Sequence, residues 1–335
     1  MKSILVTGGA GFIGSNFVRY MLNKYKDYRI IVLDALTYAG NRANLKDLED
    51  DPRYFFYHGN ICDKQVVDNL MSNVDHVVNF AAETHVDRSI HEAGSFIETD
   101  IRGTFVLLEA AKKYGIKKFL HISTDEVYGS IIDGSFKEGD PLEPNSPYSS
   151  SKAGADLLVR SYFVTYGVPA LITRSSNNYG PYQYPEKLIP LFVTNAIDDL
   201  PLPLYGDGKN VRDWIHVLDN CAALDTVLHE GRPGQCYNVG GGNERENIFI
   251  THYILDYLKK PKSLIQTVKD RPGHDRRYSI DTSKTEALGW KAQYDLADGL
   301  AQTIDWYVKN EAWWRGIKEK QEEYKRFYEA QYEKR

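Results

Sequence analysis

Residues 123–129 read Ser-Thr-Asp-Glu-Val-Tyr-Gly, a hydroxyl at Thr124 followed at once by the carboxyls of Asp125 and Glu126. They come directly after the apolar run Phe119-Leu120-His121-Ile122, which reads as a buried strand. Two carboxyls held close in a dry site favour sharing one proton, so the pair is suited to act as an acid and a base at the same moment. In a regular strand Thr124 and Glu126 face one way and Asp125 the other. For all three to meet one substrate, the strand must end or bend within residues 123–127, and Gly129 fits such a break.

A second cluster sits at the N-terminus, where an apolar run ends in Thr-Gly-Gly-Ala-Gly-Phe-Ile-Gly. Gly8 permits a tight turn, Gly11 lets the backbone approach a pyrophosphate, and Gly14 lets the following helix pack closely on the sheet. The free N–H groups of that helix then face phosphates. Asp34 ends the next strand about twenty residues after Gly14, where a carboxylate accepts hydrogen bonds from the adenosine ribose and repels a 2′-phosphate. This favours NAD over NADP. The alternative is that Asp34 only caps the following turn, and Arg42 stands close enough to soften the exclusion of NADP.

Tyr148 and Lys152 lie four apart at the start of an expected helix, a spacing that stacks them on one face. An ammonium near the phenol, with a cationic nicotinamide beside both, favours phenolate and lowers a pKa of about 10. The result is a base for a hydroxyl proton. Tyr20–Lys24, Tyr114–Lys118 and Tyr205–Lys209 share the spacing, so it is the order that counts: Tyr148 follows a dinucleotide turn and a strand end carrying Ser123 and Thr124. Ligands of α/β sheets bind outside the carboxyl ends of strands, and both features belong on that edge.

The elements that must position these groups alternate. Strands are expected at residues 3–7, 30–34, 54–57, 76–80, 118–123 and 170–174, with helices at 13–25, 64–71, 93–113 and 148–166. Strands apolar on both faces require a parallel sheet covered by helices, so the fold class is α/β, a doubly wound Rossmann sheet. The regular pattern loosens after about residue 175. This predicts a dinucleotide-binding domain over residues 1–175, with some later chain returning to it. A smaller α/β substrate lobe is expected over 176–310, then a helical tail over 311–335 that packs its aromatics on the body. With 335 residues, 42% of them hydrophobic and a net charge of −5, the chain reads as an ordinary globular protein. No basic run suggests nucleic acid and no apolar run reaches a membrane span. Cys62, Cys221 and Cys236 have no metal-ligand spacing, so no metal is expected, and reduced thiols point to the cytoplasm.

With these residues in hand, the chain resembles the extended short-chain dehydrogenase/reductase family and, within it, the 4,6-dehydratases of dTDP-glucose. The resemblance spans nearly the whole chain, through TGGAGFIG, LDALTYAGN, GNICD, AAETHVDRSI, HISTDEVYG, SPYSSSKA, RSSNNYGPYQYPEKLIP, VRDW and DRPGHDRRYSID. It implies that NAD is held by the glycine turn with Phe12 and Ile13, by Asp34, Ala35, Leu36 and Thr37, and by Asn60 and Ile61. Further along the cofactor it implies Ala81, Ala82, Glu83, Thr99, Tyr148, Lys152 and Asn178. For the nucleotide sugar it implies Thr84, Thr124, Asn177, Lys187, Leu188, Pro203, Leu204, Tyr205, Arg212, Asn247, Arg271 and His274. Arg212 and Arg271 also suit a diphosphate on chemical grounds, against the commoner case of a solvated surface arginine. His274 could equally be a satisfied loop histidine, and Cys62 is read as structural.

The roles implied are Tyr148, Thr124 and Lys152 for oxidation at C4, Asp125 as acid and Glu126 as base for loss of water. A homodimer through a helix bundle is implied as well. Epimerases and decarboxylases of the family share the glycine turn and the Tyr–Lys pair but lack the full Thr-Asp-Glu run. GDP-mannose 4,6-dehydratases typically have serine in place of Asp125 and prefer NADP, which conflicts with Asp34. A non-catalytic dinucleotide sensor would need none of the five residues as a set. The chain departs from the family in Thr84, where serine is frequent, in two short loops, and in the tail after residue 310.

Overall fold

The structure, a computed structural model, describes residues 1–333. Its strands in chain order are β1 (Lys2–Thr7), β2 (Tyr28–Asp34), β3 (Tyr54–His58), β4 (His76–Asn79), β5 (Lys118–Thr124), β6 (Ala170–Ser175), β7 (Asn177–Tyr179), β8 (Leu202–Tyr205), β9 (Val211–His216), β10 (Cys236–Val239), β11 (Glu244–Glu246) and β12 (Ile265–Val268). Seven form one parallel sheet in the order β10-β6-β5-β4-β1-β2-β3. The winding reverses between β1 and β4, which opens a crevice at the carboxyl edge there.

Both faces of the sheet are covered, as its apolar strands require. On one side Phe17, Val18 and Met21 of the helix Phe12–Lys24 pack with Leu224 and Val227 of the helix Val217–Glu230 against Ile4, Val6 and Val32. On the other, Val67, Leu107, Leu108, Val159 and Tyr162 close over Leu5, Val77 and Phe119. The smaller lobe is built from the sheet β11-β9-β7, the pair β12-β8 and the helices Leu188–Ile197, Asn247–Tyr257 and Leu296–Lys309.

Later chain returns to the large sheet as the helix Val217–Glu230 and β10, which pairs with β6; four residues at a sheet edge carry too little pattern to be placed in advance. Two features differ from the sequence expectation. The helix expected over 93–113 is instead interrupted. It begins as Gly94–Phe96, widens into a π-helix over Ile97–Gly103, and continues as Thr104–Tyr114. The wide turn holds Asp100 inward, where it accepts from the Glu83 amide at 3.0 Å and the Ser151 hydroxyl at 2.6 Å; π-turns are frequent at functional sites. The tail breaks at Gln321 into helices Glu311–Lys320 and Glu322–Tyr328 with a π-turn at Glu329–Glu333, burying Trp314 and Tyr324. Residues 334 and 335 of the expected tail lie outside the described residues.

The helix Pro147–Tyr166 carries the tyrosine and lysine, and its start is fixed locally. Ser146 caps it, accepting from the Ser149 amide at 3.1 Å, while the Ser149 hydroxyl accepts from the Ser146 amide at 3.1 Å, and Pro147 presets the first turn. Replacing Ser146 by Ala should lower stability by about 1 kcal/mol, read as a lower urea midpoint at unchanged slope; an unmoved midpoint would mean the cap is redundant.

Candidate active site

The strand β5 ends at Thr124, and the chain turns at once into a 3₁₀ helix over Asp125–Tyr128. Thr124 caps that turn: its Oγ1 accepts from the Glu126 amide at 3.2 Å and donates to Asp125 Oδ1 at 3.2 Å. Gly129, at φ +84°, closes it. The break overrides the alternation of a strand, and Thr124, Asp125 and Glu126 all line one cavity with Tyr148 and Lys152. The Thr124 hydroxyl is within hydrogen-bonding reach of the Tyr148 phenol.

The two acids sit in unequal fields. Burial pushes Asp125 well above the usual carboxylate range, and the neighbouring Glu126 and Asp213 push it further against only Arg212 and the Thr124 bond. Glu126 is raised by burial too, but Arg271, Lys187 and Arg212 all oppose the rise, with Asp275 acting the other way. Asp125 therefore holds the proton longer and Glu126 ionises first. This is the order that an acid at 125 and a base at 126 require.

The tyrosine–lysine pair lines the same cavity and is deeply buried. In the protein alone the Tyr148 phenol is pushed well above 10, by burial first and then by Glu126 and Asp100, with only the Thr124 bond opposing. Burial pushes Lys152 down, and its Nζ donates to the Ile122 carbonyl at 2.7 Å rather than to the phenol. Lysine by itself does not make phenolate here. The expectation sets a cationic nicotinamide beside both residues, a charge that the protein alone does not carry.

The other end of the cavity is shaped for a dinucleotide. Gly8 has φ +66°, and a Cβ there would lie 2.6 Å from the Ala81 amide nitrogen, so only glycine lets this turn approach β4. Gly11 and Gly14 bracket the start of the helix Phe12–Lys24, whose first amides open onto the cavity. Asp34 lines the same space and accepts from Ala10 and Leu36 amides, each at 2.8 Å. The capping role and the ribose role are thus compatible, since two amides leave part of the carboxylate's acceptor capacity. Arg42 is turned away, 3.3 Å from Glu49 and over the Phe56 ring.

Phe12, Ile13, Ala35, Thr37, Asn60, Ile61, Ala81, Ala82, Glu83, Thr99 and Asn178 line this cavity as well. Leu36 does not: at φ +51° it packs against the main core and serves the turn. Burial, with Asp100 beside it, pushes Glu83 up to about 7.

On the substrate side Thr84, Asn177 and Lys187 line the cavity, and the Lys187 ammonium donates to the Thr84 carbonyl at 2.5 Å. Arg212 and Arg271 are outside its lining; Arg212 is buried and Arg271 is mostly so, with 15% of its side chain exposed. Arg212 donates to the Asp275 carbonyl at 2.9 Å and lies over the Tyr278 ring, and Arg271 is 3.8 Å from Asp87. Tyr205 donates to Asp87 at 3.1 Å. His274 pairs with Asp270 at 2.5 Å and is pushed down to about 4, chiefly by burial, as a satisfied loop histidine would be. Leu188, Pro203, Leu204 and Asn247 belong to the second lobe, Leu204 within its core, and are not brought to the catalytic turn. Sequence reasoning missed Asp87, Asp213, Asp275 and Tyr278. Each lies in or beside a motif, but as a single acid or phenol without informative spacing.

Comparison with known proteins agrees with this geometry. The family model described as GDP-mannose 4,6 dehydratase matches residues 5–303. The chain belongs to this nucleotide-sugar dehydratase family of extended short-chain dehydrogenase/reductases. It is 52% identical to the dTDP-glucose 4,6-dehydratase of Streptomyces antibioticus, over 95% of this chain and 96% of the relative. It is 55% identical to the low-salt glycan biosynthesis protein Agl12 of Haloferax volcanii, over 91% and 98%. Among solved structures it superposes on DesIV, the dTDP-glucose 4,6-dehydratase of Streptomyces venezuelae with NAD and TDP bound. The TM-score is 0.93 at 53% identity, covering 94% of this chain and 99% of that one.

Two outcomes are expected of the site. Asp34→Ala should weaken NAD by about tenfold and NADP much less, as read by fluorescence titration; unchanged NAD affinity would remove Asp34 from the cofactor site. Arg271→Gln should raise the pKa of Glu126, because a cation that opposes its rise is lost. The acid limb of the turnover–pH profile should then move to higher pH, and a limb that stays in place would show that Arg271 does not act on Glu126.

Proposed function

We propose that this chain catalyses the 4,6-dehydration of dTDP-glucose to dTDP-4-keto-6-deoxyglucose, a step toward rhamnose-type deoxysugars. The observation that carries this is the Thr124–Asp125–Glu126 turn, whose two acids face Tyr148 across one cavity in opposed electrostatic settings. Oxidation at C4 alone needs only a hydroxyl and a phenolate. Two differentiated carboxyls are what loss of water adds.

Bound NAD supplies the hydride acceptor for C4 and the hydride donor for C6, and it ends each cycle oxidised. Tyr148 takes the proton of the C4 hydroxyl, held by Thr124, and the resulting ketone acidifies the C5 hydrogen. Glu126 removes the C5 proton as the C5–C6 double bond forms, while Asp125 protonates the departing C6 hydroxyl to give water. After reduction at C6, Glu126 returns its proton to C5. The cycle then leaves one extra proton on Tyr148 and one missing from Asp125. Thr124, bonded to Asp125 and within reach of Tyr148, joins the two groups that must exchange it.

Arg212, Arg271 and Lys187 are the cations available for the substrate diphosphate, and the burial of Arg212 and near-burial of the other two strengthen that pairing. The reading includes a homodimer. Phe105 on the helix Thr104–Tyr114 and Leu157 and Val164 on the helix Pro147–Tyr166 remain exposed large apolar side chains, suited to pair with a second copy. It also includes the cytoplasm, supported by three free cysteines; no helix among the described residues is long and apolar enough to cross a membrane.

Incubation with dTDP-glucose should yield the alkali-induced ultraviolet absorbance of a 4-keto sugar, whereas conversion of UDP-glucose to UDP-galactose instead would reject the assignment. Asp125→Asn with Glu126→Gln should slow water loss while transient NADH still forms; absence of NADH would contradict the division of roles. Light scattering should report twice the chain mass, and a monomer would count against the dimer.

A further inference from the structure

The family model ends at residue 303, yet the chain beyond residue 320 reaches the substrate side of the molecule. We propose that residues 321–333 form a strap that positions the nucleotide-diphosphate end of the site, with Gln331 as its working residue. This rests on the reading of the substrate site given above.

Gln331 is 2% exposed and uses both ends of its amide. Its Nε2 donates to the Tyr205 hydroxyl at 2.5 Å, and its Oε1 lies 3.1 Å from His91 Nε2. The Tyr205 hydroxyl in turn donates to Asp87 Oδ2 at 3.1 Å. Asp87 Oδ1 faces Arg271 Nη1 at 3.8 Å, beyond hydrogen-bond distance, and neither that oxygen nor Arg271 Nε has a hydrogen-bond partner in the protein although both are buried. Arg271 acts electrostatically on Glu126. A polar chain thus runs from the tail through Tyr205 and Asp87 to a partly buried arginine with unused donor capacity at Nε. A guanidinium in that condition is suited to a phosphate.

The strap is anchored rather than laid loosely on the surface. Arg88 lies between the rings of Tyr38 and Phe327, 3.8 and 4.6 Å from their centroids, and it binds Glu323 at 2.8 Å and Glu186 at 2.9 Å. Gln321 accepts from Tyr184, a residue of the cofactor cavity, at 2.8 Å. These contacts cost the ordering of a dozen terminal residues. Their convergence on residues 84–91, 184–186 and 205 places the benefit at the substrate end. Tyr205 could rotate away from Asp87 without Gln331, because its hydroxyl has one donor and needs an external donor to fix its direction.

The test is calorimetric binding of thymidine diphosphate and of NAD to the full chain, together with steady-state kinetics. Gln331→Ala should raise the dissociation constant of thymidine diphosphate and the KM for dTDP-glucose by about tenfold, with kcat changing much less and NAD affinity unchanged. Tyr205→Phe keeps the ring and should show the same loss, which secures the test if Gln331→Ala folds poorly. Since the residues act in series, the double variant should be no weaker than Tyr205→Phe alone. Binding of thymidine diphosphate by Gln331→Ala within twofold of the parent, or additive losses in the double variant, would overturn the strap. A parent chain that binds no thymidine diphosphate would overturn the reading of the site itself.

Discussion

The site depends on one backbone event, the end of β5 at Thr124. As long as the strand continues, side chains alternate and no two adjacent residues reach the same substrate. The Thr124 cap stops the strand, swings Asp125 and Glu126 onto a 3₁₀ turn, and fixes the amide of one acid while bonding the carboxyl of the other. Its neighbour in the sheet is Ser175, at the end of β6, so the turn opens where the second lobe departs from the first. The Tyr148 helix then needs only a well-defined start to complete the constellation, and the Ser146–Ser149 box provides it.

From that turn follows the electrostatic asymmetry. Both acids lose water, which alone would leave both protonated and make the pair useless as a base. The second lobe separates them: Arg212 acts on both acids, Arg271 and Lys187 act further on Glu126, and Asp213 acts against ionisation of Asp125. The lobe proposed to hold the nucleotide diphosphate is therefore the same one that sets the protonation order of the acids. In the proposed function binding and chemistry are coupled through shared charges, because an anionic ligand on those arginines would change the field at Glu126.

What was legible in the sequence was what is local. The Gly8–Gly14 turn, the carboxylate of Asp34 at the end of β2 and the acids at 125 and 126 each announce themselves within a few residues, since one turn or strand end dictates their types. The need for a break after Thr124 was legible for the same reason. Asp87, Asp275, Tyr278 and Gln331 were not, because each owes its role to a contact with chain far away in sequence: Gln331 meets Tyr205 across 126 positions. The effect expected on Tyr148 joins Lys152 with a nicotinamide cation, and spacing on a helix face could not show that the Ile122 carbonyl accepts from the lysine ammonium. The interrupted helix at residues 94–114 was hidden because a π-turn preserves helical composition.

The central claim is that Asp125 holds its proton to higher pH than Glu126 does. Infrared difference spectroscopy of the thymidine diphosphate complex tests it directly through the carbonyl stretch of a protonated carboxyl. The account predicts a band that disappears in Asp125→Asn and persists in Glu126→Gln. A band that persists in Asp125→Asn and disappears in Glu126→Gln would reverse the roles and contradict it.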